Sequence, residues 1–356
     1  MNFELTEERQ MLQDTLRRYL SDKYTTARRN EILGSEAGMS TEIWTELAEL
    51  GVIGALFTED QGGFGGAGFD LAVVFEELGR AGVVEPFLDG ALIGGRLLAA
   101  AGRSDLVDAV IAGTAQLAFA HGEPGGRYDL DHVTTTATGG TLTGRKAVVM
   151  NAEAADHLIV SATNGDAIGL YLVAKGATGL EVQGYPLLAG GRAAEVTLDN
   201  TPGEALNLGL DAIQNVTALA IMAQCAETLG AMETATALTK DYLGTRKQFG
   251  RPIGTFQALA HRMADMLIEM EQARSAVINA AGHLDSDERD LTLSASKNLM
   301  GRVGRLVAEE AIQMHGGIAM TQEYELAHIA KRIVMADHRF GDTDYHLERF
   351  IELSTA

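Results

Sequence analysis

The segment from Tyr242 to Ile253 has the residue types best suited to chemistry in this 356-residue sequence. It brings together three cations, one amide and one aromatic ring: Arg246, Lys247, Arg251, Gln248 and Phe249. The chain carries a formal net charge of −21, so this segment is a local positive island. Guanidinium and amide groups bind phosphate or pyrophosphate through charge-assisted hydrogen bonds. Cations also stabilise the C-terminal end of a helix, and spacing alone leaves both interpretations open.

A second polar segment, Gln313-Met314-His315-Gly316-Gly317-Ile318, ends with two glycines after a helical pattern. Glycines at this place let the backbone approach a ligand closely. They also end helices, and the pattern alone favours a helix cap.

Other kinds of site have weaker signals. The glycine run 62–68 has no Lys-Ser/Thr ending and follows no strand, so it is interpreted as a connector. The nine histidines form no His-Glu-x-x-His motif, and no Gly-x-Ser-x-Gly turn is present, which disfavours metal sites and serine hydrolysis. The single cysteine, Cys225, excludes a disulfide within the chain and is predicted to be a buried, inert thiol.

Composition excludes several classes of protein. Apolar residues make up 46% of the chain, enough for a substantial core. The acidic balance disfavours nucleic acid and anionic membranes as partners, and no stretch is apolar enough to span a membrane. The first residues, Met1 to Glu4, lack the features of a secretory signal, so we expect a cytoplasmic protein.

Three compositional zones predict the elements that position these segments, in an α+β fold. Residues 1–113 form an N-terminal helical domain. One helix is capped by Thr6, and two further helices span 40–50 and 69–79. Residues 114–208 form a middle antiparallel β-barrel or sandwich, with strands at 133–136, 141–142, 147–150, 157–161, 169–173 and 194–198. Residues 209–356 form a C-terminal four-helix bundle.

The two polar segments resemble the two C-terminal signatures of acyl-CoA dehydrogenases. The first is Tyr242-x-x-x-Arg246-x-Gln248-Phe249-Gly250-x-Pro252-Ile253-x-x-Phe256-Gln257, and the second is Gln313-x-His315-Gly316-Gly317-Ile318. The helical, β, helical order of the chain also matches that family's fold. The segments 117–121 and 340–342 most resemble the small (β) subunits of pimeloyl-CoA-type heterotetrameric acyl-CoA dehydrogenases.

The resemblance implies an FAD-dependent desaturation of an acyl-CoA thioester between Cα and Cβ. In this family a glutamate removes the α-proton, and hydride passes to the flavin. The C-terminal helices of one subunit grip the dinucleotide end of the neighbouring subunit's FAD. The family positions for this grip are here called the FAD-grip set, and they fall on Arg246, Gln248, Phe249, Gln257, Gln313, Gly316 and Gly317.

The half of the site that would hold the flavin ring departs from the family pattern. The motif Thr-Glu-Pro-Gly-x-Gly-Ser-Asp is matched by residues 122–129, with Gly122, Arg127 and Tyr128 replacing threonine, glycine and serine. The Trp-Ile-Thr segment becomes residues 148–150, before a retained Asn151. The hydroxyl groups that would bond flavin and thioester are therefore lost.

The catalytic glutamate is also replaced. Its position falls on Gly341, or on Asp342 if the alignment slips by one residue. The alternative family position falls on Ala220, and the nearby Glu227 is predicted to lie on a solvated helix face.

Three hypotheses follow. The first is a non-catalytic subunit that completes the FAD site of a larger catalytic subunit, in an α2β2 assembly. The second is a self-sufficient homotetramer with Asp342 as base, and the third is a redox-inactive binding or scaffold protein. The resemblance implies an acyl-CoA substrate, either dicarboxylic, fatty or derived from a steroid side chain, and electron transfer flavoprotein as electron acceptor.

Overall fold

The computed structural model describes residues 5–355. The chain begins with six helices: α1 Glu7–Lys23, α2 Thr26–Gly34, α3 Thr41–Glu49, α4 Gly68–Ala81, α5 Gly95–Ala100 and α6 Ser104–Ile111. Two predicted helix starts are confirmed, because the side chains of Thr6 and Ser40 accept the N–H groups of Arg9 and Ile43, each at 3.3 Å. The expectation drawn from Met1 to Glu4 lies outside the described residues.

The glycine run 62–68 connects a short 3-10 turn at Glu59–Gln61 to α4, as predicted. A Cβ atom at Gly63 would clash with the carbonyl oxygens of Gly54 and Phe57, and one at Gly65 would clash with that of Ala55. Close backbone packing therefore explains these glycines without a bound phosphate.

The middle of the chain forms strands β1 to β8, in the order β1 Leu117–Ala120, β2 Thr136–Thr138, β3 Thr141–Met150, β4 His157–Asn164, β5 Ala167–Ala174, β6 Leu180–Pro186, β7 Arg192–Pro202 and β8 Glu204–Ala205. The two strands predicted at 141–142 and 147–150 are one strand, β3, which continues through Gly144. The strands β1, β6 and β8 were not among the predicted ones.

These strands form one eight-stranded sheet in the middle of the chain, where the β region was predicted. Most pairs are antiparallel, but β4 pairs in parallel with both β1 and β2. The strand predicted at 133–136 begins only at Thr136, because the N–H groups of Thr134 and Thr135 bind the carboxylate of Glu123. Alternate strand residues form the core of the sheet, including Leu142, Leu158, Val160, Val173, Val196 and Leu198.

The C-terminal part is again helical, as predicted. The helices α7 Leu210–Thr245, α8 Gln257–Gly282, α9 Arg289–His315, α10 Glu325–Ala336 and α11 Thr343–Thr355 are interrupted by one small hairpin, β9 Lys247–Gln248 and β10 Arg251–Pro252. Helices α8, α10 and α11 all pack against α9. Cys225 on α7 is fully buried, which confirms its predicted burial, and burial raises the pKa of its thiol to about 12.

The chain divides into two compact units, as far as the structure describes them. One comprises Met1–Arg29, Gly68–Val83 and Ile221–Ala356, and the other comprises Asn30–Ala67 and Val84–Ala220. The boundaries at 113 and 208 drawn from composition stay predictions. No helix among the described residues is long and apolar enough to cross a membrane.

Candidate functional site

The predicted cationic segment forms a tight hairpin directly after the long helix α7. Its two strands are joined by Phe249 and Gly250, whose φ angles of 53° and 79° both lie in the left-handed region. Two such residues form the type I′ turn that matches the twist of a two-residue β-hairpin. The ring of Phe249 is 90% exposed at the tip. The segment therefore forms an exposed, cationic hairpin after the end of α7.

The second predicted segment lies at the C-terminal end of α9. Gly316 has a φ of 71°, so it ends the helix in a conformation that favours glycine, as the cap interpretation predicted. Gly317 has no such φ, and a Cβ atom placed there would meet no atom within 4 Å. Gln313 is exposed one turn earlier. Gly317 therefore leaves an open stretch of backbone beside an amide side chain, which suits a ligand.

Three aromatic rings bring these two segments together. The ring of His315, the last residue of α9, stacks on Tyr242 in the last turn of α7 with centroids 4.5 Å apart. It also contacts Tyr324, which precedes α10, at 5.4 Å. Its Nδ1–H donates to the carbonyl oxygen of Ala311 at 2.8 Å. Because burial lowers the pKa of His315, its ring is neutral at pH 7, and the stack joins the helix ends without a charge.

The remaining member of the FAD-grip set lies beside the hairpin. Gln257 is the exposed first residue of α8, and the preceding Phe256 packs edge-to-face against Phe249 with centroids 6.1 Å apart. The structure thus collects all seven residues of the set around the ends of α7 and α9 and the start of α8.

The donor set fits an anionic dinucleotide such as FAD. Arg246, Gln248, Gln257 and Gln313 are all exposed, and the side chain of Arg246 makes no hydrogen bond or ion pair within residues 5–355. A guanidinium held at a helix end in a chain of net charge −21 is a strong attractant for phosphate. The open backbone at Gly317 gives room for the ligand to approach.

Gly341, the first candidate position for the base, has no room for any side chain. Its φ is 105°, which strongly disfavours every residue except glycine. A Cβ atom there would lie 2.5 Å from His346 Nε2 and closer still to the ring of Tyr345. Its carbonyl oxygen accepts a hydrogen bond from the buried ammonium of Lys297 at 2.9 Å. The turn before α11 is therefore built around a glycine at this place.

Asp342, the second candidate, caps the helix that follows. Its Oδ1 accepts the N–H of Tyr345 at 2.9 Å, and its carbonyl oxygen accepts that of His346 at 3.0 Å. This is the geometry of an N-cap residue, for which aspartate is among the preferred types. The carboxylate of Asp342 therefore has a structural task that does not require it to remove protons.

The other candidate positions carry no base. Ala220 is fully buried. The prediction for Glu227 was wrong, because this side chain is buried and ion-paired with Arg332 of α10, whose Nε donates to Oε1 at 2.9 Å. The error arose because α7 is covered on most of its circumference, so a polar residue on it does not mark a solvated face.

A buried polar cluster in the sheet was missed by sequence reasoning. The ammonium of Lys146 on β3 donates to Glu123 Oε1 at 2.7 Å and to Ser161 Oγ at 2.8 Å. Both side chains of the Lys146–Glu123 pair are almost fully buried. Glu123 also accepts from the N–H groups and hydroxyls of Thr134 and Thr135. No signal in the sequence marks this cluster, because Lys146 follows Arg145 in a strand that also carries two threonines.

This cluster shifts the pKa of each titratable member. Burial opposes the charge of Glu123, but the hydrogen bonds from Lys146, Thr134 and Thr135 outweigh it and lower the pKa to about 2. Burial lowers the pKa of Lys146 to about 8, against the opposing effect of Glu123. Burial and the nearby Lys146 lower the pKa of His121 to about 4. The pair is therefore charged at neutral pH, and His121 is neutral.

The segments that replace the family's flavin-ring motifs are strained and exposed. Val148 has a φ of 54°, which is rare for a β-branched residue, and it lies at a bulge where β3 shifts register against β7. Its side chain is 57% exposed. Arg127 also has a positive φ, 47°, and its side chain is exposed. Asn151 holds the end of β3 by donating to the carbonyl oxygen of Leu117 at 3.1 Å.

Comparison with known families decides the class of the protein. Residues 6–116 match the profile described as acyl-CoA dehydrogenase, N-terminal domain, and residues 207–352 match acyl-CoA dehydrogenase, C-terminal domain. The chain belongs to the acyl-CoA dehydrogenase family. The predicted helical, β, helical fold is confirmed, and FAD, the cofactor of this oxidoreductase family, is confirmed with it.

Several acyl-CoA dehydrogenases resemble the chain along nearly its whole length. The acyl-CoA dehydrogenase IpdE2 of Mycobacterium tuberculosis is 32% identical, over 92% of this chain and 91% of its own. A solved structure described as the Tcur3481-Tcur3483 steroid ACAD G363A variant is 31% identical with a TM-score of 0.90, covering 98% of both chains. The ChsE4-ChsE5 complex of Mycobacterium tuberculosis gives 25% identity and a TM-score of 0.90, covering 100% of both.

Proposed function

We propose that this chain is the non-catalytic subunit of a heteromeric acyl-CoA dehydrogenase and completes the FAD site of a catalytic partner. One observation carries the proposal. Of the two candidate positions for the family's base, Gly341 has a φ of 105° and a crowded Cβ position that exclude a carboxylate, and Asp342 caps α11, whereas the FAD-grip set remains exposed. One half of a shared site is thus present and the other is degraded.

In this assembly the chain binds and orients the cofactor, and the partner performs the proton transfer. When held by the FAD-grip set, FAD would supply the acceptor for the hydride from Cβ of the acyl-CoA. Arg246 neutralises phosphate charge, Gln248 and Gln313 supply amide hydrogen bonds, and the open backbone at Gly317 lets the dinucleotide come near. The larger subunit supplies the glutamate and the contacts to the flavin ring, in an α2β2 arrangement.

The named relatives favour both a partner-dependent enzyme and a steroid-derived substrate. One solved relative is described as a steroid acyl-CoA dehydrogenase, and another as a complex of two differently named chains. We therefore propose a steroid-derived acyl-CoA thioester before the dicarboxylic thioester that the pimeloyl-CoA-type resemblance suggests. Electron transfer flavoprotein is the proposed electron acceptor.

The alternative, a homotetramer with Asp342 as base, is tested by a substitution that keeps the helix cap. Asp342→Ser removes the carboxylate but retains an N-cap oxygen, so α11 is expected to stay intact. Asp344→Ser is the matched control, because Asp344 is an exposed carboxylate in the first turn of the same helix. Both variants are prepared in the FAD-loaded assembly, and steady-state dehydrogenase activity is measured.

The proposal predicts the same activity for both variants, within about twofold. A selective loss on the order of 10²-fold or more in Asp342→Ser, with FAD content and thermal stability unchanged, would identify Asp342 as the base and contradict the proposal. The third hypothesis, a redox-inactive scaffold, predicts that no co-expressed acyl-CoA dehydrogenase subunit yields a flavin-containing complex with this chain.

A further inference from the structure

The hairpin after α7 has two chemically different faces, and the register assigns its residues to them. Gln248 is directly opposite Arg251, and Lys247 is opposite Pro252. The N–H of Ile253 donates to the carbonyl oxygen of Arg246 at 2.8 Å, which continues the same ladder by one pair. Side chains alternate between faces along a strand, and directly opposed residues share a face. Arg246, Gln248 and Arg251 therefore point to one side, and Lys247 points to the other.

The guanidinium of Arg251 is held in a fixed place on that face. Its central carbon lies 4.2 Å from the centroid of the Phe256 ring, within the range of a cation–π contact. Phe256 is itself braced edge-to-face by Phe249. A guanidinium that stacks on a ring keeps the N–H groups along its edge free to bind an anion in a bidentate manner. The side chain of Arg251 is exposed and has no hydrogen bond or ion pair to any residue that the structure describes.

Two guanidinium groups on the same face of a short hairpin repel each other unless an anion lies between or beside them. The chain has 49 acidic side chains, yet none of those in the described part pairs with Arg246 or Arg251. In a chain so rich in carboxylates, a pair of cations left without an internal partner indicates an external one. The Gln248 amide on the same face adds hydrogen-bond donors, which suits phosphate.

We propose that Arg251 is a third phosphate-binding residue of the cofactor grip, acting beside Arg246 and Gln248, and that Lys247 on the opposite face is not. The ligand class is the pyrophosphate of the dinucleotide held at this hairpin. The inference rests on the proposed function, since it assigns a new residue to the same shared site.

The test compares four variants in the FAD-loaded assembly that the full-length chain forms: Arg251→Gln, Arg251→Lys, Lys247→Gln and Arg246→Gln. FAD dissociation is followed through the recovery of free-flavin fluorescence on dilution, and activity is not the readout. Loss of a charge-assisted bidentate contact is expected to weaken FAD binding on the order of tenfold in Arg251→Gln. Arg251→Lys is expected to fall between that variant and the wild type, because lysine keeps the charge but not the planar fork. Lys247→Gln is expected within about twofold of the wild type.

Three other outcomes would contradict either the role of Arg251 or the proposed function. If Arg251→Gln and Lys247→Gln weaken FAD binding equally, the effect is general charge and Arg251 holds no phosphate. If Arg251→Gln dissociates the subunits in sedimentation analysis but leaves FAD affinity unchanged, Arg251 binds a protein carboxylate and the inference is wrong. If Arg246→Gln also leaves FAD affinity unchanged, the hairpin does not contact the cofactor, and the proposed function fails rather than the role of Arg251 alone.

Discussion

The buried ammonium of Lys297 on α9 donates a hydrogen bond to the carbonyl oxygen of Gly341, at 2.9 Å. The same ammonium also bonds the carbonyl oxygens of Ala336 and Asp337, at 3.1 and 3.0 Å, so one side chain satisfies three backbone groups between α10 and α11. This contact fixes the turn at Gly341, one of the two positions on which the proposed alignment places the base. The turn between α10 and α11 is therefore held by three hydrogen bonds from one side chain.

Removing this ammonium is expected to destabilise the chain. Lys297→Met leaves three buried carbonyl oxygens without their donor, and we expect a loss of about 3 kcal/mol in the free energy of unfolding. Urea unfolding followed by circular dichroism measures the loss. Lys240→Met, at an exposed lysine on α7, is the control and should change the unfolding free energy by less than about 0.5 kcal/mol. Equal effects in the two variants would show that the three bonds contribute nothing.

A glutamate cannot simply be restored at the family position. Gly341→Glu forces a side chain into a φ of 105° and against His346 and Tyr345. We expect a loss of about 3 kcal/mol or more in stability, and no gain of base-dependent activity in the isolated chain. Gly244→Ala is the control, because no atom lies within 4 Å of the added Cβ and the residue is helical, so stability should hold or rise slightly. A well-folded Gly341→Glu variant would contradict the account.

The buried pair in the sheet should respond asymmetrically to mutation. Glu123→Gln leaves the Lys146 ammonium buried without its counter-charge, at an expected cost of about 3–5 kcal/mol. The double variant Glu123→Gln with Lys146→Met should recover a large part of that loss, which a double-mutant cycle measures. Glu204→Gln breaks the solvent-exposed pair with Arg103 and should cost less than about 1 kcal/mol. A strictly additive double variant would mean that the two charges do not interact.

Acid should destabilise the chain through a buried histidine at the start of α11. Burial lowers the pKa of His346 to about 4, and nearby Lys297 and Arg349 lower it further while Phe340 and Asp342 oppose them. The native pKa lies below the unfolded value of about 6.5, so the unfolded state binds more protons between those pH values. Stability is therefore fully present above about pH 6.5 and falls as the pH approaches 4.

The measurement is the unfolding free energy against pH for the wild type and for His346→Asn. We expect a slope of about 1 kcal/mol per pH unit from this group in the wild type, and a flatter profile in the variant. His338→Asn, at an exposed histidine just after α10, should keep the wild-type profile. Identical slopes in the wild type and His346→Asn would place the acid sensitivity elsewhere.

Much of the fold could be predicted from local patterns, because helix caps and the change from helical to strand periodicity depend on neighbouring residues. Thr6 and Ser40 were identified in this way. Features that depend on contacts distant in sequence could not be predicted. The Glu123 carboxylate accepts the N–H groups of Thr134 and Thr135, which therefore do not join the hydrogen bonds of the sheet. Glu227 is buried in an ion pair with Arg332, which lies on a helix about a hundred residues later.

Some residues of the candidate site could likewise be predicted from local motifs, and others could not. The FAD-grip set could be proposed because its residues lie in two dense motifs, and the Tyr242–His315 stack joins the helix ends that carry those motifs. Arg251 was visible only as one cation among three, because its face of the hairpin depends on register and on Phe256. That Gly341 has no room for a side chain could be inferred only from its backbone φ angle, which the sequence pattern does not predict.

The most direct test of the central claim is the FAD content of the assembly, measured with this chain alone and with a co-expressed larger acyl-CoA dehydrogenase subunit. The account predicts a flavin-poor chain alone, one FAD for each pair of different subunits in the complex, and loss of that FAD when this chain carries Arg246→Gln. A chain that is yellow when purified alone, with one FAD per copy and dehydrogenase activity of its own, would contradict it.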